Sequence, residues 1–190
     1  MRCFLVICLL SVLTSVSSQI PPVLNASTGA GYVHLDEALV QAESGDTLLL
    51  APIAFSSNLQ LHQSIHILGD PDGGTVLDIR GTQGYGIQLN ASQITLSDIT
   101  VISGPGHLDY ALHSEPGISG IRLVRMNVVN NPVSGIDLNG LTDEAPNVIQ
   151  SCQVTGSSAG FGLALSSCRG VVIEGFSSSA NGYGDIGILE

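Results

Sequence analysis

Five short segments between residues 85 and 190 share one alternating pattern of apolar and other residues. Each runs large, small, large apolar, variable and mostly apolar, and their central residues lie 24 to 27 positions apart: Ile87, Leu112, Ile136, Leu163 and Ile188. Alternation with a period of two is typical of a β-strand, and its return at a fixed spacing is typical of a solenoid. The pattern therefore predicts one strand per coil, stacked on its copies.

A second apolar column keeps step with the first: Ile67, Leu96, Leu123, Ile149 and Ile173. Behind it runs a third, made of Ile99, Met126, Cys152 and Phe176. The apolar phase slips by one between these two columns, so we expect the chain to turn a corner near Asp98. Two or three strands per coil of about 25 residues describe a parallel β-helix, and parallel connections are expected to be right-handed. The predicted fold is all-β, a right-handed parallel β-helix.

The first half of the chain predicts how this solenoid begins. Residues 19–31 lack periodicity and are interpreted as a lead-in, followed by a β-helix domain over 32–190. A short helix is predicted from Asp36 to Glu43, with Asp36 as its N-cap and Gly45 as its stop signal. It would cover the open end of the first coil. Strands are predicted over 47–50, 58–61, 65–68 and 76–79.

Residues 1–18 have the pattern of a secretory signal peptide, with one early charge, Arg2, and an apolar run too short to span a membrane. We therefore expect a secreted or extracellular protein, periplasmic if the source is bacterial, with no membrane span after cleavage. Loss of Arg2 changes the net charge from −11 to −12, and the chain has no Lys. Such a chain repels nucleic acid, so the expected partners are a polysaccharide or another extracellular protein.

The segment Gly31–Pro52 has the pattern of a short amphipathic helix followed by Gly-Asp-Thr and an apolar strand. The segment Ile65–Asp70 supplies a further strand that ends in Gly-Asp. In these motifs the chain resembles the opening of right-handed β-helix proteins of the pectin-lyase-like class. The resemblance implies the fold but no single activity, because lyases, hydrolases, esterases, adhesins and accessory proteins all share this fold. The chain stops inside a strand of the repeat, which we interpret as the N-terminal part of a longer protein or an edge that pairs with another chain.

No complete catalytic set is visible. The resemblance implies a Lys or Arg base with Ca²⁺ for lyases, and hydrolases need paired carboxylates. We expect no cofactor, and Ca²⁺ has no supporting motif. The weak catalytic candidates are His113, Asp137 and Arg125. Alternation places Gln88, His113, Asp137 and Ala164 on the outer face of successive coils, where His113 and Asp137 form a base with its orienting carboxylate, half of a metal site or a solvated hydrogen-bonded pair.

Three further features bear on the surface. Arg125 is expected to form an exposed ion pair with Asp98 at the corner. The loop Gly104–Glu115 is rich in His and acidic residues but matches no zinc spacing. Cys152 and Cys168 form either a disulfide or free thiols, one of them buried.

A column of small residues is the last candidate: Gly86, Ala111, Gly135, Gly162 and Gly187. It predicts either a smooth exposed strip that a flat ligand approaches closely or glycines that follow tight turns. If the column is an exposed strip, the ligand-binding residues are Gly86, Gln88, Gly135 and Gly162. We therefore expect a secreted protein that presents a rigid face to a glycan or a protein. The alternative is the N-terminal part of a polysaccharide lyase or glycoside hydrolase that acts on acidic polysaccharide.

Overall fold

The computed structural model describes residues 20–104 and 109–190. In this part of the chain the predicted all-β fold is confirmed: parallel sheets are stacked as a β-solenoid, with one short helix near the N-terminus. The predicted signal peptide over residues 1–18 lies outside the described residues. No helix among the described residues has the length and apolarity needed to cross a membrane.

Three sheets run along the solenoid, and each coil adds one strand to each of them. Sheet A contains β1 (Val23–Asn25), β2 (Gly31–Tyr32), β3 (Asp46–Leu50), β6 (Ile65–Leu68), β9 (Thr95–Ser97), β12 (Arg122–Val124), β15 (Asn147–Gln150) and β18 (Val171–Glu174). Sheet B contains β4 (Ala54–Phe55), β7 (Val76–Asp78), β10 (Thr100–Ile102), β13 (Asn127–Val129), β16 (Gln153–Thr155) and β19 (Ser177–Ser179). Sheet C contains β5 (Leu59–Leu61), β8 (Ile87–Leu89), β11 (Leu112–Ser114), β14 (Ile136–Asn139), β17 (Phe161–Ser166) and β20 (Gly184–Leu189).

The predicted apolar columns are the ladders of the core. In sheet C, Ile87, Leu112, Ile136 and Leu163 pair in register and are fully buried. In sheet A the column from Ile67 to Ile173 pairs in the same way. The last step in sheet C was predicted wrongly, because Leu163 pairs with Ile186 and not with Ile188. The connection before β20 shifts the pairing register by two residues. Because a shift of two keeps the same side chains on the same face, the alternating apolar pattern in the sequence cannot reveal it.

The predicted corner lies between sheets A and B. Asp98 there has a φ of 60°, and Arg125 and Ser151 occupy the same position in the next two coils with φ values of 49° and 53°. A single left-handed residue between two strands reverses the alternation, so that the next residue, Ile99 or Met126, again points into the core. The one-residue slip in the sequence pattern is this corner.

The start of the solenoid is covered by two elements. Helix α1 spans Leu35–Gln41, with Leu35 and Ala38 buried. The predicted N-cap was wrong: His34 is the N-cap and makes no side-chain capping bond, whereas Asp36 lies in the first turn. The segment interpreted as a lead-in contains β1 and the first residue of β2, and β1 pairs antiparallel with both β2 and β3. This antiparallel strand covers the outer edge of the first strand of sheet A, which a parallel solenoid otherwise leaves open.

Candidate functional site

The outer face of sheet C carries the predicted polar column. Gln88, His113, Asp137 and Ala164 pair in register on β8, β11, β14 and β17. His113 Nδ1 lies 2.7 Å from Asp137 Oδ2, which is hydrogen-bond distance. The expectation that the two residues are solvated was wrong, because each is only 8% exposed. Other side chains on the outer face of sheet C must therefore cover His113 and Asp137.

Two tyrosine rings provide part of that cover. The Tyr85 ring stacks on the His113 ring, with centroids 4.3 Å apart and planes inclined by 21°. The Tyr110 ring lies nearly parallel to the same imidazole at 5.7 Å, and the two tyrosine rings are 6.0 Å apart. Offset stacking at these separations is favourable. Tyr85 and Tyr110 are themselves only partly buried, so this aromatic cluster of Tyr85, Tyr110 and His113 remains open to solvent.

The coil geometry explains why these rings meet. Tyr85 and Tyr110 each lie two residues before the buried central residue of their strand, in successive coils whose strands are about 4.8 Å apart. The residue that follows each tyrosine, Gly86 or Ala111, is buried. The backbone therefore turns inward immediately after each ring, and the rings lie across the outer face of β11, where His113 projects.

Hydrogen-bonding and charged groups surround the aromatic cluster. Gln88 Nε2 donates a hydrogen bond to Glu115 Oε1 at 2.7 Å, across the same pair of coils. Burial is the main cause that raises the pKa of Tyr85, and the nearby carboxylates of Asp109, Glu115 and Asp137 add to it. Burial also raises the pKa of Tyr110, with Asp137 the next contributor. Both phenols therefore stay protonated at neutral pH and can donate hydrogen bonds.

The glycines predicted to form an exposed strip face the core instead. Gly86, Gly135 and Gly162 are buried. A Cβ on Gly86 would clash with Ile79 Cδ1, and one on Gly135 would clash with Val154 Cγ1. The expected smooth outer strip was therefore wrong, since Gly86 and Gly135 leave room for core side chains that come from the side of sheet B, and Gly162 leaves room for Ser178 on β19. The register shift in β20 also removes Gly187 from the column, because Gly187 pairs with Ala164.

Arg125, the third catalytic candidate, lies on another part of the coil. At the corner between sheets A and B it forms the predicted ion pair, donating from Nε to Asp98 Oδ1 at 2.5 Å and from Nη2 to Asp98 Oδ2 at 2.7 Å. Its side chain is 55% exposed, whereas that of Asp98 is 8% exposed. The hydrogen bonds from Arg125 hold the pKa of Asp98 below its usual range. The geometry thus brings His113 and Asp137 together and gives Arg125 a separate partner.

Among the described residues, the thiols and the acidic groups form no further cluster. Cys152 and Cys168 are both free, so the disulfide alternative is excluded, and burial raises the pKa of each thiol. Within residues 20–104 and 109–190 no three His, Cys, Asp or Glu side chains gather as metal ligands. His107, part of the predicted acidic and histidine-rich loop, lies outside the described residues. A cavity of about 620 Å³ beside Arg80 and Asn131 is lined by none of the cluster residues.

Tyr85 and Tyr110 were not predicted as site residues. A signal for them was present in the sequence: both are aromatic, in the same position of consecutive repeats, beside the column that contains His113. Alternation alone assigns both tyrosines to the inner face, because each lies two residues before an inward-facing residue, Ile87 or Leu112. Only the bend at the following small residue moves their rings to the outside.

The chain was compared with protein-family models, with curated proteins and with solved structures. None of the three comparisons found a match.

Proposed function

We propose that this is a secreted β-helix protein that recognises a glycan on the outer face of sheet C. The observation that carries the proposal is the aromatic cluster, in which two partly exposed tyrosine rings stack around His113 beside Gln88 and Glu115. Secretion rests on the signal-peptide pattern of residues 1–18. The resemblance of Gly31–Pro52 to the opening of pectin-lyase-like proteins favours a polysaccharide as the ligand.

The chemistry of the cluster suits a sugar. A pyranose ring has an apolar face of C–H groups and an edge of hydroxyl groups, so it packs on aromatic rings while its hydroxyls bond to neighbouring polar groups. The Tyr85 hydroxyl, the Glu115 carboxylate and the Gln88 amide supply those polar groups here. Successive coils of a parallel sheet hold these side chains in fixed positions, and such preorganisation lowers the entropic cost of binding.

The proposal is tested by binding of the mature chain to an array of polysaccharides, repeated with Tyr85→Leu and Tyr110→Leu. Leucine keeps an apolar side chain over His113 but removes the aromatic face. Loss of one stacking contact costs about 1 kcal/mol, which is about a fivefold loss of affinity. The matched control is Tyr183→Leu, which alters a 71% exposed tyrosine of the last coil.

Two results contradict the proposal. The first is a glycan that binds the wild type and both cluster variants equally. The second is the absence of any glycan ligand, whether or not a protein ligand is captured by the same surface. Circular dichroism of each variant establishes that the comparison is made between folded chains.

A second candidate function is cleavage of an acidic polysaccharide by a lyase or hydrolase activity. The contact that favours it is the bond between His113 Nδ1 and Asp137 Oδ2, because a carboxylate can orient an imidazole that acts as a general base. Release of reducing ends or of unsaturated uronates by the wild type, lowered about 100-fold or more in His113→Gln, would support it. Binding without release of either product supports recognition alone.

A further inference from the structure

Among the described residues, the charged side chains next to the aromatic cluster are carboxylates, apart from His113 of the cluster itself, which is bonded to Asp137. Glu115 is hydrogen-bonded to Gln88, the register neighbour of His113, and Asp137 is hydrogen-bonded to His113 itself. Asp109 directly precedes Tyr110, and the chain contains no Lys. Two of the four arginines after the signal segment are held by aspartates elsewhere, Arg80 by Asp78 and Arg125 by Asp98. A ligand on this face therefore meets aromatic rings and carboxylates.

Rings and carboxylates together are the groups that recognise an organic cation. An ammonium group is attracted to the face of an aromatic ring, and it donates charge-assisted hydrogen bonds to carboxylates. Glu115 accepts its bond from Gln88 on Oε1, and its second oxygen provides an acceptor for such a donor. A uronate on the same face would place like charges side by side, which is unfavourable.

We infer that the glycan recognised at the aromatic cluster is a polymer of amino sugars with free ammonium groups, and not a polymer of uronic acids. This inference rests on the proposed function and names its ligand class. It runs opposite to the acidic polysaccharide that the resemblance to pectin-lyase-like proteins implies.

The test measures affinities of the mature chain for three oligosaccharides of equal length, made of glucosamine, N-acetylglucosamine or galacturonate. Mildly acidic buffer keeps the amines protonated and the carboxylates ionised. We expect the glucosamine oligomer to bind about tenfold more tightly than the galacturonate oligomer, with the acetylated oligomer between them, since each exposed charge contributes a factor of about two to five. The difference should shrink as added salt screens these charges.

Two variants show whether the preference comes from this face or from the net charge of the protein. Glu115→Gln removes a carboxylate at the cluster, and we expect it to lower the ratio of glucosamine to N-acetylglucosamine affinity about threefold. Glu174→Gln is its matched control, because Glu174 on sheet A also accepts a hydrogen bond from a glutamine of the preceding coil, Gln150. We expect this control to leave the ratio unchanged.

The outcomes separate the inference from the proposed function. Preference for galacturonate, equal affinity for all three oligomers, or equal effects of the two Glu→Gln variants would overturn the inference while recognition of a glycan stands. If none of the oligomers binds and the polysaccharide array is silent as well, the proposed function itself fails.

Discussion

Replacement of two isoleucines that the repeat pattern treats as equivalent gives the sharpest test of the fold. Ile136 and Ile188 are both central residues of the predicted sheet C column. In the structure Ile136 is fully buried between Leu112 and Leu163, whereas Ile188 is 78% exposed on the last strand. The variants Ile136→Ala and Ile188→Ala make the same chemical change in these two environments.

The expected magnitudes differ widely. Truncation of a fully buried isoleucine to alanine costs about 2–5 kcal/mol, from lost burial and from the cavity left behind. With a denaturant slope of about 2 kcal/mol per molar urea, a loss of about 3 kcal/mol moves the unfolding midpoint down by about 1.5 M. Truncation of the exposed Ile188 should change the free energy of unfolding by no more than about 0.5 kcal/mol.

Urea unfolding followed by far-ultraviolet circular dichroism measures both changes. Equal slopes for the wild type and the variants are required, because stacked coils can also unfold in steps. Equal midpoint shifts for the two variants would refute the exposure of Ile188 on the last strand. A negligible shift for Ile136→Ala would refute the buried ladder of sheet C.

Three further results are expected. Gly86→Ala should destabilise the chain by about 1–3 kcal/mol in urea unfolding, because the added Cβ would lie 2.6 Å from a backbone carbonyl oxygen of the next coil. Unchanged stability would instead support the prediction that Gly86 lies on an exposed strip. Asp98→Asn removes a carboxylate whose pKa is lowered by Arg125. We expect the variant to be less stable than the wild type by about 1 kcal/mol or less. This difference should be present above about pH 4 and should vanish as the pH falls through the lowered pKa of Asp98. A constant difference between variant and wild type at all pH values would contradict this cause. Cys152 and Cys168 should both be alkylated in the unfolded, unreduced mature chain, as mass spectrometry would show; a chain that needs reductant first would contain the disulfide that the structure lacks.

The candidate site was predictable in part. The neighbours His113 and Asp137 followed from the repeat spacing, because residues at the same position of successive coils are adjacent in a parallel sheet. Their burial did not follow, since the rings of Tyr85 and Tyr110 that stack on His113 lie outside the outward-facing positions of the strands. Alternation describes a strand and says nothing of side chains that precede a bend.

The sequence by itself determined the architecture: parallel coils of about 25 residues, the columns that fill the core and the corner at Asp98. These features are periodic and local, and each repetition adds support to one register. Only the tertiary structure decided three other features: the antiparallel β1 over the first edge, the inward direction of Gly86 and Gly135, and the pairing of Ile186 with Leu163. For β1 the reason is that its segment lacks periodicity, so neither its partner nor its direction follows from the pattern. The other two features share one physical reason. A change at one bend reverses the direction in which side chains point, or moves the pairing by two residues, while the pattern of apolar positions stays the same.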